Sequence, residues 1–277
     1  MRIARPERKS FAGCFCLIGE FHVINRAVAR LTLFEKEADY IAFERVLEEA
    51  RNKVALPIFA YIVMPNHWHF VVKPKNKNQV TDFFRWLTHT HTMRWHAHYH
   101  TEGTGHLYQG RFKAFPIQED GHLQAVIRYV ERNALRANLC QNAEDWFYGS
   151  LWRRVYGDDD SRAILSPWPI PMPRTWIAKV NRPQSQAEEE AIRKSLKKGS
   201  PYGSKRFVSQ ASVRLKLEHT LRSRGPRKYE LRPLLCIGGR LINGCRSSLF
   251  PVFLMCGLLD LKDQIDVTPR FFLPTLR

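Results

Sequence analysis

The sequence predicts an α+β fold: a ferredoxin-like antiparallel sheet with helices on one face, followed by an irregular basic C-terminal extension. Three observations predict it. Up to about Arg132 the apolar patterns run in the order strand, helix, strand, strand, helix, strand, helix. Two of the strand patterns are separated only by Pro65-Asn66, a pair suited to a tight reversal. After Trp152 the periodicity dissolves into Asp158-Asp-Asp and the proline-dense stretch Ser166 to Pro173, which neither a helix nor a central strand tolerates.

The first strand is expected over Glu20 to Asn25, a run rich in strand formers. Lys36 to Lys53 follows as a helix, because Ile41, Phe43, Leu47 and Ala50 recur at roughly helical spacing among Glu and Arg. Ile58 to Met64 and His67 to Val72 form a hairpin across the Pro-Asn turn. A second helix begins near Gln79, carried by Val80, Phe83, Phe84 and Leu87, and runs into a histidine-rich stretch. Arg111 to Ile117 reads as the fourth strand, and a third helix runs from Asp120-Gly121 to about Arg132. The expected division is a catalytic domain over 1–157, a proline-rich linker over 158–185, a basic helical region over 186–230 and a tail without a convincing period over 231–277.

The formal net charge is +18, and a surplus of that size favours a polyanion, nucleic acid first. Six cysteines, at 14, 16, 140, 236, 245 and 256, show no Cys-x-x-Cys or zinc-like spacing, so reduced structural thiols are expected. The short apolar run after Phe11 lacks the small-residue cleavage pattern of an export signal, and Leu249 to Leu259 is far short of the roughly 20 residues that span a bilayer. A cytoplasmic protein with no membrane partner is the expectation.

Side chains alternate across a strand, so His67 and His69 project to one face and Trp68 to the other. Two imidazoles on a rigid strand are candidate metal ligands. In the third helix Leu123, Val126, Ile127 and Val130 form the buried stripe. Tyr129 and Asn133 lie one turn apart on its flank, and the amide oxygen of Asn133 is a hard ligand able to complete a metal site beside Tyr129. Tyr99 and Tyr108 are rival nucleophiles without such a partner, and the histidines at 89, 91, 96, 98 and 100 do not share one helical face. Arg85, Arg94, Arg111, Lys113, Arg128, Arg132 and Arg136 are candidate DNA contacts, and Trp86, Trp95, Tyr99 and Tyr108 are expected to be core more than base-stacking surfaces.

Met64-Pro-Asn-His-Trp-His-Phe-Val-Val resembles the metal-binding strand of HUH transposases. Tyr129-Val-Glu-Arg-Asn-Ala-Leu-Arg-Ala resembles the nucleophile helix of their single-tyrosine, IS200-like branch, with the transposases associated with repetitive extragenic palindromes (REP) the nearest in kind. Phe21-His-Val-Ile-Asn-Arg and Gly105-His-Leu-Tyr-Gln-Gly-Arg-Phe-Lys add to the likeness, which spans roughly Arg2 to Trp152. It implies an HUH nuclease core in which His67, His69 and Asn133 bind Mg²⁺ or Mn²⁺ and Tyr129 attacks. The implied activity is cleavage and rejoining of hairpin-bearing single-stranded DNA through a 5′-phosphotyrosine, by a monomer or homodimer. Ala134 stands where the family often has proline, and Arg224-Gly-Pro-Arg-Lys only approximates the family's basic tail. Two rival readings are a domesticated, non-cleaving hairpin binder and a hydrolase in which water attacks and Tyr129 packs.

Overall fold

The computed structural model describes residues 19–76 and 78–222. The expected tail over 231–277, the apolar runs after Phe11 and Leu249, the Arg224 motif and every cysteine except Cys140 lie outside the described residues. Strands β1 (Glu20–Arg26), β2 (Ile58–Met64), β3 (His67–Val72) and β4 (Lys113–Ile117) form one antiparallel sheet in the order β2-β3-β1-β4. That is the ferredoxin-like arrangement, with β1 and β2 separated by the hairpin partner β3. Helix α1 (Glu37–Lys53) joins β1 to β2, and α2 (Gln79–Tyr99) joins β3 to β4. Arg111 and Phe112, expected in the fourth strand, precede it.

The expectation of helices on one face holds for α1 and α2, which pack on Phe21, Val23, Tyr61, Val63, Trp68, Phe70 and Val72. Helix α3 (Gly121–Glu131) corrects it by packing on the opposite face, against Ala60, Ile62, Met64, Val71 and Ile117. The reason is visible in β2, which is apolar at every position and buried throughout. A strand with no polar face has to be covered on both sides. A β-bulge at Ile58/Ala60 sets which β2 side chains face which core.

Helix α3 is followed after Arg132, whose backbone stays in the right-handed helical region, by α4 (Asn133–Arg136), with Ala134 buried. Arg136 N–H donates to the Arg132 carbonyl at 2.9 Å, so the course stays helical past Asn133. Beyond it, α5 (Ser150–Val155), α6 (Asp159–Arg162), α7 (Trp176–Asn181), α8 (Gln186–Lys198), α9 (Lys205–Arg214) and α10 (Glu218–Leu221) follow. The expected proline-rich linker is an ordered strap with packing of its own. Trp176 and Val180 are buried among α3 side chains, and the Trp168 indole donates to the Phe59 carbonyl at 3.1 Å. Among the described residues no helix is long and apolar enough to cross a membrane.

Candidate active site

Strand parity and helix periodicity bring four chemically able side chains together on the α3 face of the sheet. The rings of His67 and His69 lie 5.0 Å apart, and those of His69 and Tyr129 lie 6.0 Å apart. Asn133, one turn beyond Tyr129, borders the same cavity of about 570 Å³. Trp68, between the two histidines, points into the other core and bonds the Tyr108 hydroxyl at 3.1 Å.

Burial holds His67 neutral, its pKa pushed down to about 3, with Arg26 and Arg136 adding to the effect. Burial likewise holds His69 well below the usual imidazole range, with His22, His67 and the same two arginines contributing. Neutral imidazoles are what a cation requires of its ligands. The outer nitrogens are already engaged. His67 Nδ1 lies 2.7 Å from Asn66 Oδ1, so it donates there and leaves the Nε2 lone pair available. His69 Nδ1 lies 2.9 Å from Nε2 of His22, a fully buried imidazole on β1 whose pKa burial lowers to about 3. Only with the proton on His69 Nδ1, donated to His22, does His69 keep a free Nε2 lone pair. His22 is thus the second support of the site. Its single-residue parity placed it on the α3 face, but only the β1-β3 register, which sets Ile24 opposite His69 and His22 opposite Val71, puts its ring against His69.

Arg136 Nη2 donates to Asn133 Oδ1 at 2.8 Å and to the Tyr129 hydroxyl at 3.3 Å, and its guanidinium lies 4.3 Å from the centre of the Tyr129 ring. Because arginine can only donate, the atom it meets on Asn133 must be the oxygen, which retains a second lone pair. The Asn133 amide nitrogen is buried without a partner among the described residues. Among the described residues no three His, Cys, Asp or Glu side chains converge as a metal site, so the hard amide oxygen is the third donor at hand. Two imidazole nitrogens and one amide oxygen fit a divalent cation that keeps open positions. The cavity lining also includes Arg26, Arg111, Lys113, Arg193 and Lys197, and among the described residues it contains no carboxylate. A cation there needs negative charge from the substrate.

Of the candidate DNA contacts, Arg111, Lys113 and Arg136 line this cavity. Arg128 and Arg132 do not. Arg128 donates to the Arg182 and Pro183 carbonyls at 2.8 and 3.0 Å, and Arg132 to those of Val180 and Asn181 at 3.0 and 2.6 Å, completing the C-terminal end of α7. Arg94 is paired with Glu49 at 2.7 Å. Tyr99, half-buried at the end of α2, donates to Asp39 at 2.9 Å, and Tyr108 is buried in the other core with His91 at 2.9 Å, so neither rival tyrosine lines this cavity. His91 is itself a core residue, and Trp95 donates to the Leu33 carbonyl at 3.0 Å. Arg26, Arg193 and Lys197 were missed. The last two come from α8, distant in sequence, and no local signal marks them.

Residues 19–133 match the family described as "Transposase IS200 like". No curated protein matches the chain. Two solved structures are similar at 17% identity. One is a REP-associated tyrosine transposase solved bound to a REP hairpin, with a TM-score of 0.41, covering 67% of this chain and 100% of that one. The other is a candidate transposase from Deinococcus radiodurans R1, with a TM-score of 0.32, covering 50% of this chain and 98% of that one.

Proposed function

We propose, from the match of residues 19–133 to the IS200-like transposase family, that this protein cleaves and rejoins single-stranded, hairpin-bearing DNA in the cytoplasm through a covalent bond to Tyr129. The observation that carries this reading is the meeting of Tyr129, His67, His69 and Asn133 in one cationic cavity to which the described residues contribute no carboxylate. That cavity attracts a phosphodiester and repels no part of it. His67 Nε2, His69 Nε2 and Asn133 Oδ1 would hold Mg²⁺ or Mn²⁺, which supplies charge neutralisation at the scissile phosphate.

The chain's own groups do the rest. Arg136 lies between the amide of Asn133 and the phenol oxygen and aligns that oxygen over the cavity. Arg111 and Lys113 contact neighbouring phosphates, and their charge opposes that of the DNA backbone. The Tyr129 oxygen loses its proton and forms a bond to phosphorus, and the bond from phosphorus to the 3′ oxygen breaks, leaving a 3′ hydroxyl and a 5′-phosphotyrosine. Attack by another 3′ hydroxyl reverses these bond changes and releases Tyr129, so no ATP is consumed.

The test is incubation with labelled hairpin DNA and Mn²⁺ or Mg²⁺ on a denaturing gel. A protein-bound DNA band, lost in Tyr129→Phe while hairpin binding persists, is expected. Tyr129 is only 5% exposed, its ring covered by Arg136, and this favours the non-cleaving binder as the second reading. Tight binding with no adduct would establish that reading, and cleavage without an adduct would establish attack by water.

A further inference from the structure

Arg26 faces the candidate active site from β1. Residues 22, 24 and 26 alternate onto the α3 face of the sheet, and the register sets Arg26 directly opposite His67. Its side chain lines the same cavity as His67, His69, Tyr129 and Asn133. The backbone is pinned there, because Gln109 N–H donates to the Arg26 carbonyl at 2.9 Å and Ala27 N–H to the Asn66 carbonyl at 2.9 Å. Arg26 is half-buried, and its Nε is fully buried with no hydrogen-bond partner among the described residues. Its positive charge is felt at both His67 and His69. A buried donor left unsatisfied raises the free energy of the DNA-free protein, and a ligand oxygen removes that cost. The other lining cations are placed differently. Arg136 is committed to Asn133 and Tyr129, and Arg193 to Glu189 at 2.8 Å. Arg111, Lys113 and Lys197 are exposed. Among the described lining cations, Arg26 is the one both half-buried and uncommitted.

We propose that Arg26 is a catalytic residue: it grips the non-bridging oxygens of the scissile phosphate and holds the charge that gathers on them during attack. As the Tyr129 oxygen bonds to phosphorus and the bond to the 3′ oxygen breaks, the guanidinium donates hydrogen bonds and transfers no proton. Its chemistry suits the task, being planar and permanently charged, with donors in a fixed fork that matches two phosphate oxygens. Carried on a sheet strand beside His67 rather than on a loop, it is aimed before DNA arrives. The same charge stands next to the candidate metal ligands, so it opposes a divalent cation until the phosphate brings negative charge of its own. Arg26 thereby ties loading of the cation to the presence of the strand to be cut. The proposal rests on the strand-transfer reading for the identity of the reaction.

The test compares the full chain with Arg26→Gln and Arg26→Lys in two readouts. The first is Mn²⁺ titration without DNA, followed by electron paramagnetic resonance. The second is the single-turnover rate of adduct formation at saturating hairpin DNA and Mn²⁺. Arg26→Gln removes the charge, so without DNA it is expected to bind Mn²⁺ on the order of tenfold more tightly than wild type. In the same variant the adduct rate is expected to fall about 100-fold or more, the usual loss for one preorganised donor. Arg26→Lys keeps the charge and loses the fork, so its Mn²⁺ affinity is expected to match wild type and its adduct rate to fall between the two. A merely structural arginine cannot move the two readouts in opposite directions. Unchanged or weaker Mn²⁺ binding in Arg26→Gln, or equal rate losses in both variants, would overturn the proposal. An unchanged adduct rate in Arg26→Gln beside a normal wild-type adduct would remove Arg26 and keep the strand-transfer reading. No adduct from wild-type protein would remove that reading, and the catalytic role with it.

Discussion

At the scale of single residues, the site depends on where protons sit. His69 offers Nε2 to a cation only while its Nδ1 hydrogen is accepted by His22 at 2.9 Å. Replacing such a supporting partner generally costs 10- to 100-fold in metal affinity. His22→Phe is therefore expected to weaken Mn²⁺ binding by about that factor, while His22→Gln, which keeps an acceptor, recovers part of it. Titration of Mn²⁺ into Tyr129→Phe protein holding hairpin DNA, followed by electron paramagnetic resonance, reads this without turnover. Equal affinities in all three proteins would remove His22 from the site. The same titration without DNA is expected to give markedly weaker binding, because the described residues of the cavity lining contribute cations and no carboxylate. Cys140 is the one cysteine among the described residues, and burial pushes its thiol up to about 11, so it is not a reactive group.

At the scale of elements, α3 has to be held so that Tyr129 and Asn133 reach over the sheet. Its apolar stripe does part of this, and Glu131 does another part from the opposite flank. The buried carboxylate accepts from Ser150 of α5 and from the Trp176 indole of α7, each at 2.7 Å. Arg132 and Arg128 bind the same strap through its carbonyls. Glu131→Ala leaves two buried donors without acceptors, at about 1 to 3 kcal/mol each. A loss of about 3 kcal/mol in urea denaturation is expected, together with weaker adduct formation. Unchanged stability would mean that the strap is not coupled to α3. A comparable anchor fastens the other core, where Glu44 of α1 accepts from Tyr61 at 2.7 Å and pairs with Arg153 of α5 at 3.1 Å.

At the scale of the whole molecule, a sheet between two cores buries several titratable groups, and stability follows pH accordingly. Burial lowers His22, His67 and His91 to about 3 and His69 well below the imidazole range. The unfolded chain therefore binds more protons than the folded one as pH falls below about 6.5, and stability declines with pH. Glu20, raised by burial to about 7, and Glu131, also raised, act the other way, since the folded state holds their protons more tightly. The imidazoles outnumber them. Thermal melting is expected to move down between pH 7 and pH 5, on the order of 1 kcal/mol per pH unit for each uncompensated imidazole. His91→Gln, remote from the candidate metal ligands, is expected to make that dependence shallower by about one proton's worth. A melting temperature independent of pH would contradict this balance.

What the sequence determined by itself was whatever depends on local periodicity. The period of two sets His67 and His69 on one face and Trp68 on the other, and β2 and β3 begin and end where their apolar runs do. The period of 3.6 sets Tyr129 and Asn133 one turn apart, and the Pro-Asn pair sets the hairpin. Which surfaces meet was set by packing between distant segments. Strand register brought His22 to His69, and a wholly apolar β2 drew α3 to the face opposite α1 and α2. Arg128 and Arg132, exposed on an isolated helix, became ligands of carbonyls in a strap about 50 residues away in sequence. Arg193 and Lys197 reached the site from α8. Local pattern records the direction in which a side chain points; its partner depends on packing between segments whose separation no short period encodes.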